Sequence, residues 1–141
     1  MSAIYTPQTF SAKIGAVIAS LDEALSTGVK KAITLTNRAA IARLSGGRKA
    51  DPWTYPVPVR TPGGLRANQG TAMASPISGY VLNTSAYAGA IHSGLVPEWA
   101  GRGKHRMTQR TPRPFIDDAV EDVQPLTVVQ GSIEEALKAW A

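Results

Sequence analysis

The chain has 141 residues, the length of one ordinary domain, and its 43% hydrophobic content is enough for a single core. It contains no cysteine, which excludes a disulfide framework and thiolate metal sites, and the opening MSAIYTPQTF lacks the basic-then-apolar order of a secretory signal, so synthesis in a reducing cytoplasm is expected. The net charge of +5 is unevenly spread: thirteen Lys and Arg face only Asp51 and Glu98 between Ala24 and Arg113, whereas Pro114 to Ala141 carries six acids and Lys138. Such polarity suits contact between unlike ends of two copies, or between the basic part and nucleic acid.

Over 11–44 the apolar residues Ile14, Val17, Ile18, Leu21 and Leu25 recur at spacings of three and four, and Ala32, Leu35, Ala39 and Ala40 continue the stripe, which predicts helix. Gly28 after Ser26-Thr27 is a plausible break, leaving either one helix of roughly 50 Å, at ~1.5 Å per residue, or two in succession. Gly46-Gly47 ends the region either way. Over 48–70, Pro52, Pro56, Pro58 and Pro62 are interleaved with Trp53, Tyr55, Val57 and Val59. Prolines at this density oppose helix and central strand and predict an extended loop. Trp53 and Tyr55 are candidate partner anchors there, because rings bring large contact area at little entropic cost.

Over 71–94 a small antiparallel sheet is expected, since Ile77, Gly79 and Val81 alternate with Tyr80 and Leu82, and Asn83-Thr84-Ser85 supplies turn chemistry. Tyr87, Ala88, Ala90 and Ile91 fit a second strand or a short helix. The stretch 95–113 has no apolar period and predicts a long basic loop carrying Arg102, Lys104, His105, Arg106, Arg110 and Arg113. Those cations are candidates for bidentate pairing with a partner's carboxylates, or for neutralising phosphate. Over 114–141 two helices are expected. Pro114 suits a first helical position, Asp117 and Asp118 suit a first turn, and Phe115, Ala119 and Val123 share a face. Pro125 stops that helix, and Ser132-Ile133-Glu134-Glu135 reads as a capping box before the apolar Ile133, Ala136, Leu137 and Trp140. The last helix must dock on its own protomer or on a neighbour. The architecture expected is α+β in a single domain: a long N-terminal helix or two, a small antiparallel sheet with long loops, and C-terminal helices.

Catalysis is not expected. His92 and His105 lie in different segments with no further ligand at helical spacing, so no metal site or cofactor is anticipated. Ser93 directly follows His92, but a nucleophile needs a convergent base, an orienting group and an oxyanion hole, which adjacency does not supply. No apolar run approaches the ~18 residues that cross a bilayer.

Three further blocks carry a resemblance. Thr61-Pro62-Gly63-Gly64-Leu65-Arg66 resembles the threonine-glycine-x-leucine-arginine turn that follows the N-terminal helices in minor tail and tail-completion proteins of long-tailed bacteriophages. Asn83-Thr84-Ser85-Ala86-Tyr87-Ala88 is similar to that family's asparagine-threonine-x-x-tyrosine-alanine strand, and Thr111-Pro112-Arg113-Pro114-Phe115-Ile116 looks like its arginine-proline-phenylalanine helix start. Order and spacing agree over about Leu21 to Val123. The chain departs where the family has an acidic residue and a glycine, here Ile91-His92-Ser93-Gly94; the turn has an extra proline, and the tail beyond Pro125 lies outside the pattern. The resemblance implies a structural protein of the virion neck or upper tail, made in the bacterial host cytoplasm. It would form a homo-oligomeric ring, a hexamer by family resemblance, that completes the tail and meets the head-tail connector and the tail tube or terminator. Genomic DNA in the lumen would be a further contact. The alternative from another class is a nucleic-acid-binding protein without sequence preference, using the same basic residues.

Overall fold

Helix α1 (Pro7–Arg43) is continuous over 37 residues, about 55 Å at ~1.5 Å per residue. It appears in a computed structural model that describes residues 4, 6–45, 64–96, 108–109 and 112–140. The helix starts ahead of the apolar stripe because Thr6 and Thr9 cap it reciprocally. The Thr6 hydroxyl accepts from the Thr9 N–H at 3.2 Å, the Thr6 N–H donates to the Thr9 hydroxyl at 2.8 Å, and Pro7 takes a first-turn position. Gly28 is not a break. It is buried in mid-helix, where a Cβ would stand 3.0 Å from Ser132 Cβ and 3.2 Å from Val129 Cα, so its bare backbone lets another helix approach. The buried stripe is Ala24, Gly28, Ala32, Thr36 and Ala40, each four residues from the last. Thr36, its one polar member, donates its hydroxyl to the Ala32 carbonyl at 2.8 Å.

The expected extended loop over 48–70 does not reach residue 70. Gly64–Ala67 forms a short helix, α2, and β1 (Gln69–Ser75) begins directly after it. Strand β1 pairs antiparallel with β2 (Ser78–Asn83) through a turn at Pro76-Ile77, with Gln69 opposite Asn83, Thr71 opposite Val81 and a slip in register between Met73 and Ser75. Among the described residues this sheet has two strands. The region 71–94 is also not strand throughout, because Ala88–Ser93 is helix α3. Tyr87, Ala88 and Ile91 turn inward at spacings of three and four, and Gly94 ends the helix in the left-handed conformation at φ 75°. The basic loop expected over 95–113 is interrupted too, since β3 (Leu95–Val96) pairs antiparallel with β4 (Thr108–Gln109).

Helix α4 (Phe115–Val123) carries Asp117 and Asp118 in its first turn, as expected, and buries Phe115 and Ala119. Pro114 stands one place earlier than anticipated, at the N-cap. Gln124, left-handed at φ 53°, separates α4 from α5 (Pro125–Lys138), and its side chain donates to the Glu121 carbonyl at 2.7 Å. Pro125 therefore ends one helix and opens the next, a role its fixed φ allows. The capping box at Ser132 is corrected accordingly. Ser132 lies inside α5 and donates its hydroxyl to the Val128 carbonyl at 3.4 Å, because packing along α1 keeps Pro125 to Gly131 helical. The last helix docks on its own protomer. It runs antiparallel to α1, with Val129 and Ser132 against Gly28, the Trp140 indole N–H donating to the Ser20 hydroxyl at 3.2 Å, and the Lys13 ammonium 4.4 Å from the Trp140 ring centre.

The core sits at the C-terminal end of α1. Ala40, Leu44, Leu65, Ala88, Phe115 and Ala119 are buried together, flanked by Ala39, Tyr87, Ile91 and Ile116. An ion pair between the partly buried Arg43 and the exposed Asp122 ties the end of α1 to α4 beside it.

Candidate functional site

The three blocks singled out in the sequence meet in this core. Leu65 from the glycine turn, Ala88 from the Asn-Thr segment and Phe115 from the Pro-Phe helix start share one apolar cluster. A polar node welds the first two. The Asn83 amide donates to the Leu65 carbonyl at 2.7 Å and to the Gln69 side chain at 3.0 Å, while its oxygen accepts the Ser85 N–H at 3.0 Å. Gln69, itself buried, passes the connection to Asn37 on α1 at 3.1 Å. Half-buried amides with partners on both sides fix orientation, since each unpaired group would carry a desolvation cost. The third block enters through backbone: the Arg113 N–H donates to the Ile91 carbonyl at 3.0 Å and the Phe115 N–H to the Arg113 carbonyl at 2.8 Å.

An open apolar groove of about 520 Å3 lies on the other side of α4. Its floor is Val29, Ile33 and Thr36 of α1, one wall is the β1–β2 turn from Ile77 to Val81, and the other is the α4–α5 corner with Val120, Leu126 and Val129. Among the described residues, no charged one lines it. Gly79 sets the width. A Cβ there would lie 2.6 Å from Ile33 Cδ1 and 2.9 Å from the Ala72 carbonyl, so the bare residue lets the hairpin close down on α1. Around the rim Ile77, Tyr80 and Leu126 are more than half exposed. A second exposed apolar row, Phe10, Ile14 and Ile18, runs along the N-terminal part of α1.

No family model, curated protein or solved structure matches the chain.

Of the residues named from sequence as partner contacts, Trp53, Tyr55, Arg102, Lys104, His105, Arg106 and Arg110 lie outside the described residues. Arg113 is half-buried between α3 and α4, held by the backbone bonds given above. His92 and Ser93 act separately. Ser93 donates its hydroxyl to the Gly89 carbonyl at 2.7 Å within α3, while His92 meets the Phe115 ring edge-on at 5.6 Å and stands 3.6 Å from the exposed Asp117 carboxylate. Among the described residues no three or more His, Asp or Glu converge as a metal site, and no helix is long and apolar enough to cross a membrane. Sequence reading missed the groove altogether. Its walls come from three separate segments, and the alternation over Ile77 to Val81 marks a strand without marking the space beside it.

Proposed function

We propose that this chain is a structural assembly protein of a long-tailed bacteriophage, placed in the neck or upper tail as a subunit of a homo-oligomeric ring that joins tail to head-side connector. The observation that carries the reading is the convergence of the three family-like blocks, far apart in sequence, on one buried cluster and its Asn83 node. The surface supplies what a ring subunit needs. Lys30, Lys31, Arg38 and Arg66 are exposed on α1 and α2, and Asp117, Glu121, Glu134 and Glu135 are exposed on the C-terminal helices; charges of unlike sign on different elements suit a head-to-tail contact. Apolar surface left in water, in the groove and on α1, marks contact sites in a protein of this size.

The test is to label this chain and image particles from the phage that encodes it. Label at the head-tail junction agrees with the proposal; label in the capsid wall, in the baseplate or in no particle overturns it.

The basic excess between Ala24 and Arg113 favours a second reading, nucleic-acid binding without sequence preference. That reading requires the isolated protein to bind arbitrary duplex saturably, with affinity falling steeply as salt rises.

A further inference from the structure

We infer that the open face of α1 pairs antiparallel with the same face of a second copy, so that the N-terminal row of each copy seats in the groove of the other. This contact goes beyond the ring reading and is a different one, since a ring joins unlike patches while this joins a patch to itself.

The first ground is placement. Ile14, Ile18, Leu25, Val29 and Ile33 are spaced so that they share one side of a continuous helix, and the exposed row and the groove floor are thus two ends of a single face. Any face with a knob at one end and a hollow at the other is complementary to itself turned end for end. In that register Ile14 meets Ile33 and Ile18 meets Val29, each pair equidistant from a twofold axis between Glu23 and Ala24. The lengths agree. Phe10 to Ile18 spans about 12 Å and Val29 to Thr36 about 10 Å, at ~1.5 Å per residue.

The second ground is charge. Among the described residues the groove is lined without charge, which favours an occupant that presents none. Between Pro7 and Leu21 the single charged residue is Lys13, which lies against the Trp140 ring of its own copy and so away from the exposed row. The third ground is area. Phe10, Ile14, Ile18, Ile77, Tyr80 and Leu126 are each between 44% and 78% exposed, together on the order of 700 Å2 per copy, against the ~800 Å2 each partner gives a standard interface. A twofold contact uses the row and the groove of both copies at once, which a single insertion would not. Asp22 is the one charge on the shared face and would lie beside the axis, near its own counterpart.

The chain has no native cysteine, so introduced pairs report without background. Light scattering on the full chain at about 50 μM should give twice the 14.9 kDa chain mass. Ile18→Asp, at a half-exposed position, should keep its helical circular dichroism and weaken the dimer at least tenfold. In the double variant Ile18→Cys, Val29→Cys the two sites are about 16 Å apart within one helix, too far to bridge internally, and oxidation should link copies into covalent dimers. Asp22→Asn should tighten association severalfold. A chain that stays monomeric, an oligomer indifferent to Ile18→Asp, or absence of the intermolecular bridge overturns the contact, and none of these results bears on where a label falls in a particle.

Discussion

The two ends of α1 reverse the usual relation between size and burial. Toward the C-terminus, from Ala24 onward, three neighbours cover the helix, and the residues they bury are small: Ala24, Gly28, Ala32, Thr36 and Ala40. Toward the N-terminus, among the described residues, the end of α5 leans on it, and the large side chains Phe10, Ile14 and Ile18 are about half exposed. Full burial of such a side chain is worth about 1.5–3 kcal/mol. The covered end thus spends its burial on close backbone approach, while the open end keeps apolar area in reserve. Thr6, Pro7 and Thr9 fix the start of the helix at this end. The contrast teaches that close helix packing selects small residues at one end of α1, while large apolar residues stay half exposed at the other.

Substitutions sharpen this contrast in graded steps. Phe115→Ala empties the centre of the cluster where α1, α2, α3 and α4 meet and should cost about 3–5 kcal/mol in urea unfolding; a loss under ~1 kcal/mol would move the core elsewhere. Gly28→Leu forces a side chain into the α1–α5 approach. About 1–3 kcal/mol of overpacking should appear as a lower melting temperature, and an unchanged midpoint would mean that α5 does not rest there. Ile14→Ser, at the open end, should leave the stability of the dilute monomer within ~0.5 kcal/mol. A larger loss would show that the N-terminal row already has cover within its own protomer.

Much of the covered end was legible in the sequence. Spacings of three and four announced α1, Asp117-Asp118 and Phe115 announced the start of α4, and Asn83-Thr84-Ser85 marked the end of a strand. What misled was local chemistry with two uses. Gly28 reads as a stop when seen alone and as a close-approach residue once Ser132 stands opposite. Ser132 with Glu135 imitates a helix start, yet α5 has already begun at Pro125. Strand β1, Gln69-Gly70-Thr71-Ala72-Met73-Ala74-Ser75, has almost no strand propensity of its own and is held by pairing with β2 and by contact with α1. Of the buried stripe, Ala32 and Ala40 stood in the apolar pattern, while Ala24, Gly28 and Thr36 escaped it because small and polar residues weigh little there. The groove escaped for a different reason: no periodicity within one segment encodes a space between three.

Hydrogen exchange of the intact chain at two concentrations, about 1 μM and 100 μM, addresses the contrast most directly. Amides between Phe10 and Asp22 should gain protection as concentration rises, while those of α4 around Ala119 stay equally slow at both. Exchange at the N-terminal end that ignores concentration, or that is already as slow as in α4 at 1 μM, would contradict the account.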